Sequence, residues 1–357
     1  MRKIGALEAG GTKMVLAVYL ENGQKIKEIT LPTQEPAQTM PPMICFFEEN
    51  QIDALGVGSF GPLDLNPQSP NYGSITSTPK LAWRGYPLLK SLLNGRSIPA
   101  AIDTDVNAAI LAEKELGAAQ GCQNAVYVTV GTGIGGGVLV NGQPVHGMLH
   151  PEVGHMLLRP HPQDPNPRGV CPYHDGCLEG LAAGPAIGAR VHGDARELPD
   201  DDPTFAIEAF YLAQMCVNLI MTLSPERIIL GGGVMQRQAL LTMIRRETRR
   251  LLNGYVQTPQ VLQQMDEYIV APKLFPLSGL VGAYLLGLRA YEERGFEAAR
   301  RAAFFDGHIE CGRDARCRLT RIRDCWMQET GSRNFVVLWM RRSRKKECVC
   351  NEQLRTY

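Results

Sequence analysis

Residues 125–142 read Ala125-Val126-Tyr127-Val128-Thr129-Val130, then Gly131-Thr132-Gly133-Ile134-Gly135-Gly136-Gly137, then Val138-Leu139-Val140 and Asn141-Gly142. The order is strand, glycine turn, strand, Asn-Gly turn. Asn-Gly between apolar runs signals a hairpin, because both central residues of a type I′ turn need positive φ. The chain opens on the same order: residues 4–9 are mostly apolar, Gly10-Gly11-Thr12-Lys13 follows, then apolar Met14–Leu20 and Asn22-Gly23. One three-strand meander occurring twice predicts two structurally similar halves.

Helical periodicity fills the space between these repeats. Asp105–Gln120 carries Val106, Ala109 and Ile110 at helical spacing with an Asp at its start. Leu178–His192, Thr204–Leu223, Gln236–Leu252 and Ser278–Arg294 read the same way, and Ala100–Ile102 and Arg227–Leu230 read as strands. Strands mixed with helices on this scale predict an α/β protein. Pro- and Gly-rich loops lie at 61–87 and 159–176; the second is long enough to be functional or stapled.

The 357 residues suffice for two domains. At 44% hydrophobic and 20% charged, the composition is that of a globular protein. The apolar stretches read as interrupted before the roughly 20 residues a membrane span needs. Few apolar residues follow Met1-Arg2-Lys3 before Glu8 and Gly10, which is no signal-peptide core, so a cytoplasmic protein without membrane contact is expected. The ten cysteines are then thiols or metal ligands. The net charge of +1 hides an asymmetry: Phe296–Tyr357 holds 14 Lys+Arg against 8 Asp+Glu, and five of the cysteines. The remaining body is mildly acidic, which argues against nucleic acid as its partner.

Three glycine turns could accept an anion or a nucleotide. Gly10-Gly11-Thr12-Lys13 and Gly131–Gly137 let backbone N–H groups approach a phosphate closely. Neither is a Walker A loop or a dinucleotide fingerprint, and each alone is also an ordinary tight turn. Gly231-Gly232-Gly233 follows a strand and precedes a helix, where bare backbone could admit an adenine or ribose. Asp103-Thr104-Asp105-Val106-Asn107 sits at a strand-to-helix junction. Its two carboxylates suit acid–base work, or one of them caps the helix. Cys171, His174 and Cys177 have zinc-type spacing. His155 completes a closed Cys₂His₂ set for structural zinc, with His150 and His161 as competitors for the fourth place.

These motifs, together with Glu8-Ala9, Pro151-Glu152-Val153-Gly154-His155, Cys177-Leu178-Glu179-Gly180 and Leu230-Gly231-Gly232-Gly233-Val234, occur in an order that resembles the ROK family of bacterial sugar kinases, most of all its zinc-containing fructokinases. The resemblance spans about residues 2–294. It implies a two-domain actin-like, ribonuclease-H-like fold with ATP and sugar in the cleft. The domains would be 1–114, completed by the helix near 278–294, and 115–277 with the zinc loop; 295–357 would be a basic tail outside the kinase fold.

The resemblance further implies that Gly10, Gly11, Thr12, Lys13, Gly131, Thr132 and Gly133 hold ATP phosphates, with Gly231, Gly232 and Gly233 by the adenosine. Asp105 matches the catalytic base, and Glu8 a position that helps place Mg²⁺ through water. Gly61, Asn107, Glu152 and Glu179 match sugar-binding positions; Phe60-Gly61-Pro62 and Thr78-Pro79-Lys80 resemble loops lining that site. His155, Cys171, His174 and Cys177 would hold one structural Zn²⁺. Thr104 stands where many glucokinase-like relatives have asparagine, which fits the fructokinase branch. The implied reaction is ATP-dependent phosphorylation of fructose at the 6-hydroxyl, by a homodimer. Mannose, glucose, an N-acetylhexosamine, or non-catalytic sugar sensing are the alternatives. The tail, with Arg341-Arg342-Ser343-Arg344-Lys345-Lys346 and Cys348-Val349-Cys350, matches no pattern of the family. It reads as an acidic-partner or nucleic-acid segment, a metal site, or an unselected extension.

Overall fold

The computed structural model describes residues 1–305, with side chains through Gly295. Met1–Tyr291 form one compact unit, and a second begins at Glu292. The tail motifs at 341–350 lie outside the described residues.

The two meanders exist. β1 (Lys3–Ala9), β2 (Lys13–Leu20) and β3 (Lys25–Pro32) are antiparallel neighbours. After α1 (Pro36–Glu49), β4 (Ala54–Ser59) joins β1 in parallel. After α2 (Leu88–Leu93), β5 (Ala100–Thr104) joins β4, giving the order β3-β2-β1-β4-β5. α3 (Asp105–Leu116) leads to the second sheet. There β6 (Ala125–Val130), β7 (Ile134–Val140) and β8 (Gln143–Pro144) repeat the meander. Four helices follow: α4 (Leu178–Ala182), α5 (Gly184–Val191), α6 (Thr204–Leu223) and then, past β9 (Arg227–Gly231), α7 (Gln238–Leu252). Short α8 (Pro259–Leu262) and α9 (Met265–Tyr268) precede β10 (Ile269–Val270) and the final α10 (Ser278–Phe305). The second order is β10-β9-β6-β7-β8, with β9 and β10 parallel to β6. Each sheet thus repeats the other's topology strand for strand.

The two Asn-Gly turns differ. Asn141 and Gly142 both have positive φ, as a type I′ turn needs. At the first turn only Gly23 does, and the extra residue shifts the β2–β3 register at Val18/Tyr19. The glycine turn after β6 is shorter than 131–137, because Gly135–Gly137 belong to β7. A Cβ on Gly137 would lie 2.2 Å from the Val106 carbonyl oxygen, so this strand is glycine-rich to let α3 pack against it. The expected helix 178–192 breaks at Ala183, before Gly184-Pro185. The helix from 105 ends at Leu116 rather than Gln120, stopped at Gly117.

α6 corrects the expectation about apolar stretches: its 20 residues are long and apolar enough to cross a membrane by length and composition. Here Phe205, Tyr211, Met215 and Leu219 are buried against Val126, Val128 and Leu230 of the second sheet, so it is the core helix of that lobe. α10 packs Leu280, Ala283 and Tyr284 on Ile4, Ala6 and Ala17 of the first sheet. α3 joins Tyr127, Leu139 and Ile229 of the second. The buried Glu113 carboxylate fastens these helices. It accepts hydrogen bonds from Ala118 N (2.6 Å), Leu274 N (2.9 Å), Lys273 N (3.1 Å) and Ser278 Oγ (2.8 Å).

Candidate active site

The junction between β5 and α3 sets the centre. Thr104 is the N-cap, its Oγ1 accepting from Asn107 N at 3.1 Å. This leaves both aspartates free of capping duty. Asp103 is buried and engaged on both oxygens: Oδ1 accepts from Thr104 N (2.7 Å) and Asn107 Nδ2 (2.8 Å), and Oδ2 pairs with His146 Nε2 (3.0 Å). Three protein donors, two on Oδ1 and one on Oδ2, thus hold this carboxylate inside the protein's own network. Asp105 instead accepts only from backbone N–H groups, including Val106 N at 2.9 Å. Burial pushes its carboxyl up to about 6, against those N–H groups.

Three further carboxylates converge there. Glu8 is raised to about 7, first by burial and then by the charge of Asp105, with Lys13 opposing. Glu152 is raised to about 7 by burial and by the charges of Glu179 and Asp105. Glu179 Oε2 accepts from Ile134 N at 2.8 Å, placing this side chain under the Gly131–Gly133 turn. Such a group offers several proton acceptors near neutral pH and a field that favours a cation.

The glycine turns flank it. Gly10 N donates to Lys13 O (2.9 Å), and Thr33 Oγ1 to Gly10 O (2.7 Å), leaving Gly11 and Thr12 exposed at the tip. A Cβ on Gly11 would come within 3.5 Å of Lys80 Cε, so that lysine stands beside this turn. The second turn is closed by Gly131 N to Gly133 O (2.9 Å), with Gly184 N of α5 donating to Gly131 O (2.8 Å). Gly232 has φ +95°, and a Cβ there would meet the Val130 carbonyl oxygen at 2.3 Å; the third turn therefore packs on the strand feeding the second. Gly233, with nothing within 4 Å, is its open position.

Two expected sugar residues are placed differently from the rest. Asn107 is fully buried, its amide given to Asp103, so it lies beneath the surface of the site. Gly61 packs on the ring of His150, whose Nε2 accepts from Leu63 N (3.0 Å). That bond fixes the proton on Nδ1, which faces Glu152 Oε1 at 3.3 Å. His150 therefore ties the 60–63 loop to Glu152 and is no metal ligand. Sequence reasoning missed this role and that of His146, since nothing in local spacing marks a partner some 40 or 90 positions away.

The four metal candidates come together. The ligand atoms of His155, Cys171, His174 and Cys177 lie within 4.8 Å of one another. Cys171 Sγ is 3.9 Å from His155 Nδ1 and 3.7 Å from His174 Nδ1, and Cys177 Sγ is 3.8 Å from His155 Nδ1. Tetrahedral zinc with ordinary Zn–S and Zn–N lengths sets S···N edges of about 3.6 Å, so this donor set fits. His161 is elsewhere: its ring meets Phe210 edge-on at 4.9 Å. The loop has a second anchor in Asp164, which pairs with buried Arg190 (3.2 Å) and accepts from Tyr211 Oη (2.7 Å).

The ROK family profile matches residues 4–290. The chain belongs to the ROK family. It is 44% identical over 287 residues to a fructokinase from Pediococcus pentosaceus, covering 80% of this chain and 98% of that protein. It is 41% identical over 294 residues to a fructokinase from Zymomonas mobilis, covering 80% and 96%. The structure of a ROK family glucokinase from Streptomyces griseus in complex with glucose and AMPPNP superposes with a TM-score of 0.64 at 25% identity, over 80% of this chain and 99% of that one. The fold is thus the two-domain actin-like fold of ROK sugar kinases, and the chain is an ATP-dependent hexose kinase.

Proposed function

We propose that this ROK kinase phosphorylates fructose at its 6-hydroxyl, giving fructose 6-phosphate. The observation that carries the reading is the convergence of Asp105, Glu8, Glu152 and Glu179 between two glycine turns, in a chain whose relatives at 41–44% identity are named fructokinases. Asp105 takes the 6-hydroxyl proton as that oxygen attacks the γ-phosphorus of ATP; the bond to the bridging oxygen breaks, and ADP leaves with the electron pair. Gly10–Lys13 and Gly131–Gly133 present N–H groups to the phosphates, and Gly231–Gly233 lie by the adenosine. Glu152 and Glu179 bind sugar hydroxyls, with Gly61 held in place by His150 and Asn107 supporting from below. Glu8 would hold Mg²⁺ through water; bound Mg²⁺ offsets charge on the phosphates. His155, Cys171, His174 and Cys177 would hold one structural Zn²⁺. Because Val153–His155 form one turn directly after Glu152, His155 as a zinc ligand would also hold the proposed sugar contact in place.

The cleft would divide domains at about 114/115, with α10 returning to the first and the tail outside the kinase fold. The enzyme acts in the cytoplasm as a homodimer, with sugar and ATP as its small-molecule partners. A coupled assay of purified protein with ATP and fructose, mannose, glucose and N-acetylhexosamines tests the reading. Highest kcat/KM with fructose is expected. Preference for another hexose would move the assignment within the family, and no turnover of any sugar would make the protein a sensor.

A further inference from the structure

Segment 145–152 carries two histidine–carboxylate pairs, and only one is internal. His150 is buried, with both ring nitrogens engaged by Leu63 N and Glu152. His146 is different. Its Nε2 lies 3.0 Å from Asp103 Oδ2 and 3.5 Å from Asn107 Nδ2, yet its side chain is 41% exposed. Its Nδ1 has no hydrogen-bond partner among the described residues. Asp103 and Asn107 are at most 4% exposed. The chain Thr104 N–Asp103–Asn107–His146 therefore opens at one end only, the imidazole.

This is a costly way to build mere packing. Three donors converge on one buried carboxylate, and the one donor with an open side is paired to the residue two positions before the proposed base. We propose that His146 determines acceptor specificity: Asp103 fixes its ring through Nε2, and Nδ1 hydrogen-bonds a sugar hydroxyl other than the one that Asp105 deprotonates. Asp103 is then a positioning residue and no alternative base. The inference rests on the fructokinase reading, which wild-type turnover of fructose tests separately.

The hydrogen bond that His146 Nε2 donates to Asp103 raises the proton affinity of this histidine against its partial burial. The other titratable groups facing this network are His150, whose proton affinity is lowered in part by His146, and Tyr72, which senses Asp103. An imidazolium donor binds a hydroxyl more strongly than a neutral ring, so fructose KM in the wild type rises as this group loses its proton.

The test compares His146→Ala and His146→Gln in the full chain, with fructose and mannose, from pH 6 to 9. Loss of one hydrogen bond from a charged donor predicts a fructose KM about tenfold or more higher in His146→Ala. Its kcat should stay within about threefold and its ATP KM should not change. His146→Gln, which keeps a donor, should recover part of the loss, and both variants should lose the rise in KM with pH and alter the fructose-to-mannose ratio. A wild-type fructose KM in His146→Ala overturns the proposal. So does a parallel loss in kcat and ATP affinity that His146→Gln does not relieve.

Discussion

Asp105→Asn separates the cost of the proposed base from its use. The substitution keeps the shape and an oxygen for the Val106 N–H, and removes the charge. In the folded protein the Asp105 carboxyl is raised from 3.8 to about 6 by burial. The ionised form is therefore disfavoured in the fold by about 3 kcal/mol, taken as an order of magnitude. A raised carboxyl gives a definite sign. The fold loses nothing below about pH 3.8, where folded and unfolded chains are both protonated. It loses progressively as the pH rises toward 6, and fully above that. Asp105→Asn should then be more stable than wild type at pH 7.5, by roughly 5 °C in thermal midpoint for a unit of this size. The gain should shrink toward zero as the pH falls from 6 to 4. Part of it arises because Glu8 and Glu152, both raised in part by Asp105, ionise more easily beside an amide. Turnover should fall by about 10²–10⁴-fold, the share of a general base. Scanning calorimetry across pH, paired with a coupled kinase assay, reads both. An unchanged or lower midpoint at pH 7.5 refutes the desolvated carboxylate, and near-normal turnover by the folded variant refutes the base.

Cys171→Ser should reduce zinc below one equivalent in protein purified without chelator, lower the thermal midpoint, and weaken sugar binding more than ATP binding; metal analysis with separate KM measurements checks this. Gly232→Ala forces a Cβ to 2.3 Å from the Val130 oxygen at φ +95°, so a loss of about 3 kcal/mol or more is expected in denaturant titration, with ATP KM raised. Truncation after Gly295 should leave kcat/KM close to that of the full chain, since the family match ends at residue 290; a folded truncation without activity would place the tail in the enzyme.

What the sequence disclosed was local. The meanders were legible because their signals, apolar runs and turn residues, act within a few positions, and α3, α6 and α7 because helical periodicity is likewise local. α1 was not legible: it contains Pro41 and Pro42, which sequence rules read as breakers. Both prolines are exposed, so the carbonyls they leave unbonded can reach water, while Met40, Met43, Phe46 and Phe47 are buried and hold the helix by tertiary packing. β4 was missed for the opposite reason. Its Gly56 and Gly58 weaken any strand signal, yet a Cβ on Gly56 would lie 1.8 Å from the Ala283 oxygen of α10. In both cases a long-range contact overrides the local preference.

The site divides along the same line. The zinc ligands lie close enough in sequence for spacing to suggest them, and the geometry joins all four. Asp103 and Asp105 could not be told apart, because the distinction depends on His146, whose partnership with Asp103 spans 43 positions of sequence. Once that bond forms, both oxygens of Asp103 are engaged by protein donors. Asp105, two positions on, has backbone donors alone and keeps its elevated proton affinity. A shared residue type at i and i+2 thus becomes one support and one base through a contact that no window of sequence contains. The same holds for Glu113, a buried acceptor for four donors joining α3 to α10. Periodicity and turn chemistry specify the scaffold, and the ionisable groups take their roles only when that scaffold brings segments 40 to 160 residues apart into contact.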